Sequence, residues 1–241
     1  MLNFKKYKFP LITLFTLIQT VLFFLVQTTQ GKANIIVSYL VVVLCCLFAT
    51  LYFEKTKKYL FTQAALFFTI MADLFLVVIR PIQQLPAMIF FSFVQISYFL
   101  RLYFNSKSEK EKRIHLTVRV SLSVIAILIA VIVLKQKTDA VSIISIFYYA
   151  NLIVNIVFAF VQYKSSKLFA IGLLLFLGCD TLVGINALVT QYITSPNAQA
   201  ISNAIFGSLN LAWIFYVPSQ TLLALSLTKT EKCNHKTLHM K

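Results

Sequence analysis

Acidic side chains are scarce in this chain: seven Asp and Glu stand against 22 Lys and Arg in 241 residues, and charged residues of both signs make up only 12%. Soluble globular domains carry about 25% charged residues, so that class is excluded. Cysteine is confined to the adjacent Cys45 and Cys46, to Cys179 and to Cys233. No C-x-x-C spacing exists, which supports neither a structural zinc site nor a secreted disulfide framework. Histidine is rarer still: His115, His235 and His239 fall between or after the apolar runs, so no imidazole is expected at membrane depth. Metal-assisted and Ser-His hydrolysis are therefore disfavoured, and neither a metal nor an organic cofactor is implied.

What the chain has in abundance is apolar length. Hydrophobic residues make up 59% and come in unbroken runs rather than in the periodic stripes of a soluble core. Windows of about 20 residues predict an all-α membrane bundle of eight transmembrane helices. The predicted spans are 9–29, 34–53, 59–79, 86–104, 116–134, 140–163, 168–193 and 200–228. Their connections are short, so residues 1–241 form a single integral membrane domain of antiparallel neighbours. A β-barrel would need short alternating segments, and runs such as Val120 to Leu134 do not alternate. The first run follows Lys5, Lys6 and Lys8, yet Gln27 to Lys32 offers no A-x-A-like cleavage site, so it reads as a retained helix.

The basic excess lies between the apolar runs, which assigns it to membrane orientation and anionic headgroups rather than to nucleic acid. Eighteen basic residues fall on one side of an eight-span topology; Lys32, Arg80, Lys135 and Lys137 fall on the other. The positive-inside rule then places both termini in the cytoplasm, with the cell membrane as the expected location. The longest connection, Asn105 to His115, reads as a solvated cytoplasmic turn.

Of the seven acids, only Asp73 and Asp180 lie well inside a span. A carboxylate at bilayer depth costs roughly 3 kcal/mol on the lenient insertion scale, so both are expected to face the bundle interior and to serve a function. They sit at similar depths in the third and seventh spans, within roughly 3 Å, and can face one cavity. Their offset of 107 residues and four spans points to a parallel 4+4 repeat.

Other polar residues fall on helical stripes: Asn210, Trp213, Tyr216 and Gln220 beside Pro218 in the eighth span, Tyr148, Asn151, Asn155 and Gln162 in the sixth, and Gln95, Tyr98 and Arg101 in the fourth. Arg80, seven residues after Asp73, falls on the same helical face. Arg80, Gln95, Tyr98, Asn151, Asn155, Trp213, Tyr216 and Gln220 are the candidate substrate-binding residues.

At these residues the sequence resembles the lysoplasmalogenase (YhhN-like) family of multi-pass membrane proteins. The likeness is carried by Met71-Ala-Asp73-Leu-Phe-Leu76, by Phe93-Val-Gln95-Ile-Ser-Tyr98, by Gly172 to Leu182 around Cys179 and Asp180, and by Trp213-Ile-Phe-Tyr216-Val-Pro-Ser-Gln220. Ala72 stands where the family usually has Gly, and Cys179 where it usually has Ser. The resemblance implies hydrolysis of the vinyl ether bond of lysoplasmalogens to a fatty aldehyde and a glycerophospho-headgroup. A lysophospholipid, water and the surrounding membrane lipids are then the partners.

The residues are compatible with that chemistry. Protonating the β-carbon of an enol ether creates an oxocarbenium-like cation that water captures. One carboxylic acid and one carboxylate suit the two tasks, much as in glycoside hydrolysis, and Asp73 and Asp180 are the candidate catalytic pair. Two intramembrane acids would equally serve a proton-coupled transporter of lipid or small molecules, which is the alternative expectation. A non-catalytic sensor or assembly factor is a third.

Overall fold

The computed structural model describes residues 4–51, 57–135, 138–164, 166–192, 196–206 and 210–228. Glu54, Lys55, Lys137 and the charged tail with Glu231, Cys233, His235 and His239 lie outside the described residues. The described chain is helical throughout: α1 Phe4–Thr28, α2 Gly31–Leu51, α3 Lys57–Asp73 continued by a π turn over Leu74–Val78, α4 Gln84–Asn105, α5 Glu109–Leu134, α6 Ala140–Val161, α7 Lys167–Tyr192, α8 Pro196–Phe206 and α9 Leu211–Leu225.

Among the described residues, eight segments are long and apolar enough to cross a membrane, in the order expected from the sequence. The eighth, Ala200–Leu225, is built from two helices, α8 and α9. Its second piece starts at Asn210, whose side chain accepts from Trp213 N at 3.4 Å and whose backbone is clasped by the Gln27 amide. Asn210 is therefore a helix cap and not part of a cavity stripe.

The molecule is apolar outside and keeps buried polar side chains inside, among apolar ones. Large side chains such as Ile36, Phe67, Leu128, Ile132 and Val157 are exposed, whereas Gln19, Thr62, Asp73, Gln95, Asn155 and Gln220 are buried. Water would drive the reverse distribution, so the exterior is matched to lipid and the chain is an integral membrane protein.

Close helix approach replaces the hydrophobic effect as the means of packing. A Cβ at Gly172 would meet Leu223 Cγ at 2.9 Å, and one at Gly178 would meet Phe215 Cδ1 at 2.9 Å. The two glycines thus let α7 lie directly on α9, where Ser219 Oγ also donates to the Gly172 carbonyl at 2.9 Å.

One boundary differs materially from the sequence expectation. The fifth helix starts at Glu109, not near 116, because Ser108 Oγ accepts from Glu111 N at 3.1 Å and the Glu111 carboxylate accepts from Lys107 N at 2.9 Å. That arrangement is close to a capping box and extends α5 through the stretch read as a solvated turn. His115 consequently lies on the helix rather than in a loop, and both it and Arg119 are buried against α6. Two of the eighteen basic residues counted as flanking charges, Arg101 and Arg119, are interior groups for this reason.

Candidate functional site

α3 carries a buried stripe of Thr62, Leu66, Thr69 and Asp73, spaced by four, three and four residues and so on one helical face. Asp73 ends it, 3% exposed. Directly beyond, Ile79 N bonds to Leu74 O at 2.9 Å in the i+5 pattern of a π turn, an irregularity frequent at functional sites. Across the bundle, Tyr216 of α9 donates its hydroxyl to Asp73 Oδ2 at 2.5 Å. Pro218, two residues further, cannot donate its backbone nitrogen to the helix and leaves one carbonyl of α9 less committed.

Asp180 lies near the middle of α7 and is partly buried. It accepts a very short hydrogen bond from Tyr148 of α6 at Oδ2. Each carboxyl group is therefore held by a tyrosine from another helix. The tyrosines belong to α9 and α6, so the four-span offset of the aspartates is not repeated in their partners.

The two pairs meet in one aromatic cluster. Phe176, one helical turn before Asp180, lies 5.9 Å from the Tyr216 ring and 6.2 Å from Phe91; Phe91 in turn lies 5.6 Å from Tyr148. Trp213 stacks edge-on against Tyr216 at 5.2 Å. Buried Cys179, directly before Asp180, belongs to the same cluster. Aromatic walls of this kind exclude bulk water from two carboxyl groups that can donate and accept a proton.

The remaining sequence candidates divide. Gln220, Tyr98 and Gln95 are fully buried in the bundle interior. The Gln220 amide oxygen and nitrogen, the Tyr98 hydroxyl and Gln95 Nε2 have no hydrogen-bond partner among the described residues. Arg80 is exposed beyond the π turn. The wider turn breaks the helical phase that would have put it on the face of Asp73, and no contact joins it to the aspartates.

Asn151 and Asn155 are committed elsewhere. Asn155 Oδ1 accepts from Arg119 Nη2 at 2.5 Å, and Asn151 Oδ1 accepts a very short bond from Arg119 Nη1. The Asn155 amide donates onward to Gln95 Oε1 at 2.9 Å, tying α5 through α6 to α4. The Arg119 guanidinium lies 4.3 Å over the Phe99 ring, and the His115 ring packs 3.7 Å from Phe158. His115 is thus an imidazole inside the bundle, contrary to expectation, yet among the described residues no three His, Cys, Asp or Glu side chains converge as metal ligands.

Two further residues were missed or underweighted. Arg119 had a legible signal, since His115, Arg119 and Ser123 recur every four residues and form one helical face. Arg101 is 2% exposed and donates to Thr62 and Ser226 at 2.8 Å and to Ser166 at 3.0 Å.

A family model described as the YhhN family matches residues 33–227, from the start of α2 to just beyond α9, and so includes both aspartates and both tyrosines. No curated protein and no solved structure matches the chain. With most of its length matched, this chain belongs to the YhhN family.

Proposed function

We propose that the protein hydrolyses the vinyl ether bond of lysoplasmalogen-type lysophospholipids within the membrane. The observation that carries this reading is the pair of tyrosine-bound aspartates, Asp73 with Tyr216 and Asp180 with Tyr148, on one buried aromatic cluster. One carboxylic acid delivers a proton to the β-carbon of the enol ether, and the other carboxylate offsets the positive charge that develops on the oxygen-bearing carbon. Water adds to that carbon and gives up a proton to the carboxylate left by the acid, and the hemiacetal collapses to a fatty aldehyde and a glycerophospho-alcohol. Aromatic walls suit the acyl-like chain, and the hydroxyls of Tyr148 and Tyr216 orient the carboxyls without competing as acids.

YhhN family membership supports a hydrolase of this kind. The test is aldehyde release by the purified protein in detergent, across a panel of vinyl ether, alkyl ether and ester lysolipids. Release from the vinyl ether alone is expected. No release, together with gradient-dependent uptake by proteoliposomes, would replace the enzyme with a proton-coupled transporter.

A further inference from the structure

Among the described residues, the partners of Arg101 are the hydroxyls of Thr62, Ser166 and Ser226 and the face of Phe169 at 3.8 Å, with no carboxylate. Beside it, where α4 and α6 end and α7 begins, lies a recess lined by Arg101, Asn105, Gln162, Ser166 and Phe169. Leu102 and Ala159 complete its mixed polar and apolar lining, and it has room for about one water molecule. Between this recess and the aspartates, buried polar side chains recur among apolar ones. Thr62 touches Arg101, and Asp73 lies 11 residues further along the same buried stripe of α3, about 16 Å away.

On α9, Ser226 touches Arg101 and Tyr216 touches Asp73, with Gln220 between them. On α4, Tyr98 is one turn from Arg101 toward the aspartates and Gln95 one turn further. The Tyr98 hydroxyl and both amide atoms of Gln220 are fully buried without a partner among the described residues. Orphaned donors and acceptors at this depth are strongly disfavoured unless a small polar guest satisfies them.

We propose that Arg101, Tyr98 and Gln220 line an internal water path that runs from the recess at Ser166 to Tyr216 and Asp73. The path supplies the water consumed at each cleavage from the Arg101 end of the bundle, leaving the lipid-facing sides free for the substrate chain. Its purpose rests on the hydrolase reading above; its hydration does not. Arg101, with hydroxyls on three helices, anchors the entrance, and its fixed positive charge opposes passage of excess protons.

The test is radiolytic footprinting of the full chain in phosphatidylcholine nanodiscs, since bound water generates hydroxyl radicals that label the side chains beside it. After correction for intrinsic reactivity, Tyr98 and Tyr216 are expected to label faster than Phe15 and Phe48, which are equally buried in the α1 and α2 stack. Gln220→Leu is expected to lose labelling at Tyr216 and to lower kcat about tenfold with KM held. Tyr98→Phe, a change of one oxygen atom, provides a second variant with the same expected loss.

Equal labelling of the four rings would overturn the path, as would a Gln220→Leu protein that melts higher and keeps its kcat. Labelling without aldehyde release from any lysolipid would sustain the path and remove the hydrolase; release without labelling would do the opposite.

Discussion

Tyr216 donates to Asp73 at 2.5 Å and thereby joins α9 to the end of α3 across 143 positions of sequence. The bond fixes the carboxyl at the start of the π turn, where the backbone would otherwise leave it free to rotate. Tyr148 plays the same part for Asp180. Placement of an acid by a neutral donor, rather than by a cation, keeps the carboxyl available for either protonation state.

Asp73→Asn and Asp180→Asn are each expected to lower turnover by about 10²–10⁴-fold, the usual contribution of a positioned general acid or base. Both variants retain the tyrosine contact through the amide oxygen and are expected to stay folded, as read by size exclusion and melting. Turnover close to wild type in either would remove that residue from the chemistry.

Tyr216→Phe and Tyr148→Phe take away a hydrogen bond to an acid, worth about 1.5–3 kcal/mol when the acceptor is charged, and are expected to lower kcat by about 10–100-fold. Cys179→Ser is expected to keep activity, because the thiol stands beside the carboxyls and bonds to neither in the structure. Complete inactivation by that change would instead identify a thiol mechanism.

Gly172→Ala and Gly178→Ala test the α7 and α9 contact. The added methyl would fall 2.9 Å from Leu223 or from the Phe215 ring, and overpacking of this kind costs about 1–3 kcal/mol. Gly184, in the same helix, has nothing within 4 Å of such a methyl, so Gly184→Ala is expected to be neutral or slightly stabilising. Melting temperatures of the three variants in one detergent decide the matter; equal shifts would mean that helix propensity, not contact, is being measured.

The inward placement of Asp73 and Asp180 was legible because a carboxylate at bilayer depth is costly unless it faces the bundle interior, and these are the two acids well inside a span. Tyr216 and Gln220 were visible as a stripe of α9, although which residue touched Asp73 needed the fold. Arg119 and His115 were hidden by a different cause. Span ends were placed where the apolar run stops, and a basic residue at that edge reads as a flanking charge. The nearby Ser108 and Glu111 signature shows that the helix begins earlier, so the same residues enter the bundle on a face of spacing four. Arg80 failed for a third reason, since no pattern in Leu74-Phe-Leu-Val-Val announces a π turn.

Arg119 is expected to be structural, holding α5 to α6 through Asn151 and Asn155. Arg119→Leu leaves two buried amide oxygens without donors, at about 1–3 kcal/mol for each. Replacing the whole set, Arg119, Asn151 and Asn155, by leucine removes donor and acceptors together and is expected to recover part of the loss, since a dry apolar contact has nothing left unsatisfied. Thermal melts of the single and triple variants check this. A triple variant less stable than Arg119→Leu would show that Asn155 matters more for its bond to Gln95 than for Arg119.

Asp139 offers a test outside the membrane-spanning helices. It caps α6, accepting from Ser142 N at 2.8 Å and from the Ser142 hydroxyl at 2.5 Å. The Ser142 hydroxyl, and next its backbone amide, hold the Asp139 carboxyl below the usual carboxylate range. A carboxyl depressed in the folded state contributes stability that is fully present above its unfolded value of about 4 and fades as pH falls through the lower folded value. Asp139→Ala is therefore expected to cost about 1 kcal/mol at pH 7, the usual worth of an N-cap, and less at pH 3. Asp139→Asn keeps an acceptor oxygen and is expected to hold most of the cap at both pH values. If the gap between wild type and Asp139→Ala is the same at pH 7 and pH 3, the charge on Asp139 contributes nothing, and the cap works as a neutral acceptor.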